Sequence, residues 1–145
     1  MLIKFLLADI LKFHSQLEGK STGIRDLGLI ESAVNAPFQI FGGQDLYPTI
    51  FDKAAQLAYG LTENHGFVDG NKRAAIHSMM VYLLLNDLDL TADEDELFQV
   101  SMNLAAGKLS SSGLSDWLKF KSKKISSKLF GGSTNTNEGE SINEV

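Results

Sequence analysis

The chain has 145 residues and a mass of 15.8 kDa, which suits one domain, and its hydrophobic fraction of 43% is enough for a buried core. It contains no cysteine, so disulfides and thiolate metal sites are excluded. The formal net charge of -5 argues against a general nucleic-acid binder, so we expect no direct contact with nucleic acid.

The sequence predicts no targeting segment and no membrane segment. The run from Met1 to Leu11 is apolar but carries Lys4 and Asp9, and it lacks a small-residue cleavage site, so it is not interpreted as a signal peptide. No apolar segment approaches the length that crosses a bilayer. We therefore expect a cytoplasmic protein that does not contact membranes.

Helical spacing of apolar residues dominates the first half of the chain. Leu2 to Leu17 is mostly helical in pattern, with a possible extended start at Leu2 to Leu6, and a loop follows at Gly19 to Gly23. Asp26 is a candidate N-cap for a short helix that Pro37 ends. The next predicted elements are a mixed stretch at 38–47 with a Gly42-Gly43 turn and a largely buried helix that Tyr47-Pro48-Thr49 opens.

The second half is also helical in pattern. The predicted elements are an apolar central helix at 74–85 ended by Asn86-Asp87, a short connection at 88–91, an amphipathic helix at 93–106, a loop at 107–113 and a last helix at 114–124. Besides the possible extended start, only the region near Gly23 has a pattern that permits an extended segment. The predicted fold class is therefore all-α, a compact helical bundle with a short extended segment.

The composition changes at Ser126. Residues 131–145 are rich in Gly, Ser, Thr, Asn and Glu and contain no Lys or Arg, which is typical of a disordered acidic tail. We therefore expect a helical domain at 1–125 and a polar tail at 126–145. The lysines that precede the tail are interpreted as a solvated helix face and end.

The stretch from His65 to Arg73, His-Gly-Phe-Val-Asp-Gly-Asn-Lys-Arg, separates two helical runs. A helix that begins near Gly70 or Asn71 has a positive N-terminus, where acidic residues are normally favoured. Lys72 and Arg73 break that preference. Free backbone N–H groups together with two cations form a site for an anion, most naturally a phosphate. The residues alone therefore predict a phosphate-handling site with a histidine one turn away.

Each residue of this stretch has a structural alternative. His65 is either a loop histidine bonded to the backbone or a base that takes a proton from a hydroxyl. Asp69 is either an N-cap or a ligand of Mg²⁺. Gly70 permits close approach of a phosphate, whereas Asn71 either binds phosphate oxygens or holds the loop. Phe67 is interpreted as a core anchor.

The pattern His-x-Phe-x-Asp-Gly-Asn-Lys-Arg resembles the signature of the Fic/Doc superfamily, in its Doc (death-on-curing) branch. The flanking segments are similar too, chiefly Gly23 to Ala33, Phe41-Gly42-Gly43, Leu46-Tyr47-Pro48 and Leu84-Leu85-Asn86. The similarity covers roughly Phe5 to Phe120. It implies the helical Fic/Doc fold.

The resemblance also implies a role for each residue of the motif. His65 would be the general base that activates a target hydroxyl, and Asp69 would hold Mg²⁺. The backbone amides of Gly70, Asn71 and Lys72 would bind phosphate, and so would the side chain of Arg73. Gly23 to Asp26 would correspond to the flap, where a target segment docks by β-strand addition.

Two positions distinguish between two reactions. Fic AMP-transferases carry glycine at the position of Lys72 and a second arginine at the position of Ile76. Doc-type proteins lack both residues and resemble kinases that bind ATP in the reversed sense. We therefore favour phosphoryl transfer over AMP transfer.

The resemblance implies a toxin of a type II toxin–antitoxin system that uses Mg-ATP to phosphorylate a translation factor, elongation factor Tu in this family. A small antitoxin, folding as a helix into a groove on the toxin, is the implied partner. The alternatives are a nucleotidyl transferase and a catalytically idle binding module. The intact His65, Asp69 and Arg73 count against the idle module.

Two further histidines and one match in the tail lie outside this motif. His77 lies one helical turn after Arg73 and is interpreted as a core or groove histidine, although it could border the site. His14 has no companion motif, so no role is assigned to it. Thr134-x-x-x-Glu138-Gly139 matches the inhibitory pattern of Fic proteins, but the arginine that the glutamate would pair with is absent, and we interpret this match as chance.

Overall fold

The computed structural model describes residues 1–18 and 23–125. Within these residues the fold is helical with short strand pairs, so the predicted all-α class is confirmed. The helices of this part of the chain are α1 (Leu2–Ser15), α2 (Leu27–Asn35), α3 (Ile50–Asn64), α4 (Asn71–Leu85), α5 (Glu94–Ala105) and α6 (Ser111–Lys121). A 3-10 helix, Ala36–Phe38, follows α2 directly. The predicted tail, the Glu138 pattern and residues 19–22 of the loop predicted at 19–23 lie outside the described residues.

The predicted helix starts at Asp26, Thr49 and Asp93 are confirmed. Each could be predicted because a capping side chain bonds N–H groups of its own first turn. The Asp26 carboxylate accepts a hydrogen bond from Leu29 N at the start of α2. Thr49 opens α3 with a capping box, in which its hydroxyl accepts from Asp52 N and the Asp52 carboxylate accepts from Thr49 N. Asp93 opens α5 in the same way. These side chains satisfy backbone N–H groups that the first helical turn leaves unpaired.

The possible extended start at Leu2 to Leu6 is wrong, since α1 is helical from Leu2. Leu6, Ile10 and His14 are buried on one face of this helix. Their spacing of one turn each makes the helix, rather than a strand, the form that buries all of them.

Two antiparallel strand pairs occur where the sequence predicted a mixed stretch, a connection and the end of a helix. In the first pair, β1 (Ile40–Phe41) and β2 (Gln44–Asp45) flank the predicted Gly42-Gly43 turn. In the second, β3 (Leu88–Leu90) pairs with β4 (Ser122–Lys124). The expectation that 88–91 is only a connection is therefore wrong.

The last helix is shifted from its predicted range of 114–124. It begins at Ser111 because the Ser110 hydroxyl accepts a 2.9 Å hydrogen bond from Gly113 N. It ends at Lys121 because the next residues extend to pair with β3. The predicted loop at 107–113 is correspondingly shorter.

The two helices that flank the motif pack against each other at the centre of the fold. Helix α4 also packs on α1, β3 and α5, as its apolar character predicted. Its buried residues are Ala74, Ala75, Ser78, Met79, Tyr82 and Leu83. The end of α3 and the start of α4 are therefore both fixed by core contacts. No helix in the described ranges is long and apolar enough to cross a membrane.

Candidate active site

The loop between α3 and α4 presents His65 in a defined orientation. His65 ends α3 in the left-handed conformation, with φ 52° and ψ 48°. Its Nδ1 lies 2.9 Å from the carbonyl oxygen of Glu63. A ring nitrogen that faces a carbonyl carries the hydrogen, so in the neutral ring Nε2 keeps its lone pair. Of the two sequence interpretations, the backbone contact is present, and it leaves Nε2 able to accept a proton.

A cavity of about 290 Å³ brings together the predicted site residues. Its lining comprises Thr62, His65, Val68, Asp69, Gly70, Asn71, Lys72, Arg73 and Ala105. Every residue that the sequence proposed as catalytic, phosphate-binding or metal-binding therefore faces one space. His77, which could have bordered the site, does not line it.

The start of α4 gives this cavity a positive wall. Gly70 is the N-cap, with φ 84°, and the first backbone hydrogen bond of the helix runs from Ala74 N to Gly70 O at 3.0 Å. The amides of Asn71, Lys72 and Arg73 precede that bond and have no acceptor within the helix. Lys72 and Arg73 are exposed and add two cations to the same turn. An anion in the cavity would meet amides, helix dipole and side-chain charge together.

Asp69 contributes a carboxylate beside that positive wall. Its Oδ1 accepts a 2.7 Å hydrogen bond from Gly70 N. The N-cap position belongs to Gly70 and no side chain caps the helix, so the N-cap interpretation of Asp69 is wrong. The described residues contain no cluster of three or more His, Asp or Glu side chains that could hold a metal ion. A metal at Asp69 would therefore need further ligands from a substrate, which fits Mg²⁺ with a nucleotide phosphate.

Asn71 holds the loop. Its Oδ1 accepts a hydrogen bond from Phe67 N, and its Nδ2 donates one to Phe67 O, both at 3.0 Å. Phe67 is 2% exposed, so the predicted core anchor is confirmed. The side chain of Asn71 is thus occupied by the loop itself, while its backbone amide remains at the start of α4.

The predicted flap is attached to the motif loop by backbone hydrogen bonds. Val68 N donates to Gly23 O at 3.1 Å, and Arg25 N donates to Gly66 O at 2.8 Å. Ile24 forms an antiparallel bridge with Phe67, so the extended segment predicted near Gly23 is confirmed. The flap and the motif therefore form one structural unit.

Arg25 is a residue whose part in the site the sequence analysis missed. Its Nε donates a 2.7 Å hydrogen bond to the carbonyl of His65, and its Nη2 donates to that of Asn64 at 3.3 Å. A cation at a helix C-terminus is favourable, and here it also fixes the residue that carries the candidate base. The signal available in the sequence was the presence of a basic residue, Arg25, in the predicted flap.

The two remaining histidines lie on α1 and α4. His77 is half-buried, stacks on Phe13 and lies 2.8 Å from Asp9 Oδ2 through its Nε2, which agrees with the groove interpretation. His14, to which the sequence assigned no role, is buried directly beneath the motif loop.

The helical fold brings a histidine, a carboxylate and a cationic helix start to one cavity, at the loop that joins its two central helices. The model of the Fic/DOC family matches residues 4–83, and the chain belongs to this family. It is also similar to Toxin Doc of Mycolicibacterium smegmatis, with 41% identity over 87 residues that span 60% of this chain and 67% of the relative. The resemblance to the Doc branch is thereby confirmed.

Proposed function

We propose that this protein is the toxin of a type II toxin–antitoxin system and a protein kinase that uses Mg-ATP to phosphorylate a hydroxyl of a translation elongation factor. The observation that carries the proposal is that His65 and the cationic start of α4 line one cavity, while the contact of His65 Nδ1 with Glu63 O leaves Nε2 able to accept a proton. Similarity to a relative named Toxin Doc supports the toxin assignment. This target implies a cytoplasmic location.

The proposed reaction uses His65 as the general base. The target hydroxyl loses its proton to Nε2, and its oxygen bonds to the γ-phosphorus of ATP. The bond from that phosphorus to the bridging oxygen breaks, so ADP leaves and the target becomes a phosphate ester. The α4 amides and Arg73 stabilise the charge that develops on the phosphoryl oxygens. Asp69 would hold Mg²⁺, which neutralises phosphate charge when it is bound.

Lys72 and Ile76 support phosphoryl transfer over AMP transfer. The exposed Lys72 lines the cavity beside the α4 amides. Fic AMP-transferases carry a glycine at this position, which has no side chain to occupy that space. Ile76 is half-buried and lines a neighbouring groove with Leu97 and Phe98. It offers no charge to the far phosphates of a nucleotide bound in the sense used for AMP transfer.

The flap supports a protein rather than a small-molecule target. Gly23 and Arg25 direct backbone groups to the motif loop, so Ile24 directs its N–H and C=O to the opposite edge. An extended segment of the target could add there as a strand, beside His65.

A small antitoxin is the proposed second partner. An apolar groove of about 390 Å³ between α4 and α5 contains Leu97 and Phe98 and shares Lys72 and Arg73 with the cavity. An amphipathic antitoxin helix in this groove would contact both phosphate-binding cations and block the site.

The proposal is tested with γ-labelled and α-labelled ATP, Mg²⁺ and purified elongation factor Tu. We expect label from the γ position, and none after His65→Ala. Label from the α position would overturn the kinase assignment in favour of nucleotidyl transfer. If neither position labels the target and His65→Ala still arrests growth, the protein is a binding module and not an enzyme.

A further inference from the structure

His14 is a buried polar side chain near the end of α1. It is 3% exposed and lies on the same face as the buried Leu6 and Ile10. A histidine in such a position must find a hydrogen-bond partner, because an unpaired buried polar group is costly. Its partner belongs to the motif loop.

Two contacts and one close approach join His14 to that loop. Its Nε2 donates a hydrogen bond to the carbonyl oxygen of Asp69 at 2.6 Å. Its ring stacks on Phe67, with centroids 3.7 Å apart and planes 11° from parallel. A Cβ added to Gly70 would lie only 3.2 Å from Cδ2 and Nε2 of the ring. The imidazole of His14 therefore packs against the loop from Phe67 to Gly70 and is hydrogen-bonded to it.

We infer that His14 is a positioning residue for phosphoryl transfer, an inference that rests on the proposed function. By holding the Asp69 carbonyl and the left-handed turn at Gly70, it fixes the direction of the Asp69 carboxylate and of the first α4 amides. It does not line the cavity and so does not touch the substrate.

The two interactions of His14 can be separated by substitution. His14→Phe keeps a ring that can stack on Phe67 but has no donor for Asp69. His14→Gln places an amide nitrogen where it can donate to the same carbonyl but has no ring. Comparing the two shows whether the hydrogen bond or the stack controls the loop.

His77 of α4 provides a control, because it also makes a ring stack and a hydrogen bond, but with residues of α1 and not with the motif loop. It stacks on Phe13 with centroids 3.8 Å apart and planes 6° from parallel, and its Nε2 lies 2.8 Å from Asp9 Oδ2. His77→Phe therefore keeps a ring that can stack on Phe13 and removes the contact with Asp9, which is the same kind of change at a position outside the cavity.

We measure kcat and KM for γ-phosphoryl transfer, together with amide hydrogen exchange over residues 66–72 of the ATP-free protein. His14→Phe should lower kcat by about 10- to 100-fold, because small displacements of aligned groups cost this much. KM for the protein target should change by less than about 2-fold. Exchange over residues 66–72 should become faster. His14→Gln should recover most of kcat, and His77→Phe should match the wild type in both measurements.

Wild-type kcat and exchange in His14→Phe would overturn the inference. So would an equal loss in His77→Phe, because the effect would then come from any disturbance of the packing of α1 and not from the contact of His14 with the loop. Should His14→Phe fail to fold, His14→Leu replaces it with the same expected results. If the wild type transfers no γ-phosphate, the proposed function fails, and the exchange data alone decide whether His14 holds the loop.

Discussion

The hydroxyl of Ser115 in α6 donates a 2.7 Å hydrogen bond to the carboxylate of Asp52 in the first turn of α3. That carboxylate also accepts from Thr49 N at 3.2 Å, so one side chain closes the helix start and joins α3 to α6. Burial raises the pKa of Asp52, but the hydrogen bonds from Ser115 and Thr49 outweigh burial, and the pKa lies below its ordinary value. Folding therefore favours the charged carboxylate.

Ser115→Ala should lower the free energy of unfolding at pH 7 by about 1.5 kcal/mol, the usual scale for a hydrogen bond to a charged group. Because the folded pKa of Asp52 is lowered, this stability is present above the unfolded pKa near 4 and is lost as pH falls through the folded value. Urea unfolding of wild type and variant at several pH values measures the difference. Ser112→Ala, an exposed change in the same helix, is the control. A difference that does not shrink below about pH 4 would contradict the assignment.

Gly66→Ala should destabilise the protein strongly. The added Cβ would lie 2.3 Å from Ile30 Cγ1, with backbone atoms of Ile30 and Asp26 at 3.2 and 3.3 Å. Overpacking of this kind costs about 1–3 kcal/mol. Thermal and urea unfolding measure the loss. Gly28→Ala is the matched control, since its Cβ would meet only the side-chain Oδ1 of Asp26 at 3.2 Å. Equal stability of both variants would show that α2 can move away from the loop.

Asn71→Asp should weaken the fold although it changes one atom. The new oxygen would face the Phe67 carbonyl to which Nδ2 now donates a hydrogen bond. Losing that donor should lower the free energy of unfolding by about 1–3 kcal/mol. A negative charge at a helix N-terminus returns only about 0.3–1 kcal/mol. The net loss is read from urea unfolding. Lys72→Ala, which alters the same turn without touching Phe67, should not destabilise. A more stable Asn71→Asp would mean that the helix dipole outweighs the loop contact.

Arg73→Ala should abolish most transfer and leave the fold intact. Removing one donor from a developing phosphoryl charge costs about 10²- to 10³-fold in rate. Arg73 is exposed, and its hydrogen bond to Glu18 O is long at 3.3 Å, so the stability change should stay within about 0.5 kcal/mol. The rate of transfer from γ-labelled ATP tests the loss of activity, and urea unfolding tests whether stability is retained. Lys119→Ala removes an exposed cation outside the cavity and serves as control. An active Arg73→Ala would place the phosphate site elsewhere.

The features that the sequence predicted well depend on neighbouring residues. The predicted cap at Asp26 and the predicted helix starts at Thr49 and Asp93 depend on side chains that bond N–H groups within one turn. The cationic start of α4 was likewise visible in Lys72 and Arg73, because helix polarity is a local property. The sequence alone could place the site residues together because they belong to one loop and the helix start that follows it.

The features that the sequence missed depend on contacts across long separations. Leu88–Leu90 pairs with Ser122–Lys124, and strands this short carry almost no alternation from which to predict them. His14 lies 55 positions before Asp69, so only the folded chain shows that the two meet. Its place on an apolar helix face resembled that of any core histidine.

If the protein binds a nucleotide as proposed, the charges at the start of α4 would also link the supply of that nucleotide to the stability of the protein. Lys72 and Arg73 oppose the helix dipole by about 0.3–1 kcal/mol each, a cost that a bound anion removes. A ligand that binds only the folded state adds stability that grows with its concentration above Kd. A nucleotide-starved cell would thus hold the protein in its less stable form, in which proteases that act on unfolded chains remove it faster. The resistance of the protein to degradation would then follow the energy state of the cell.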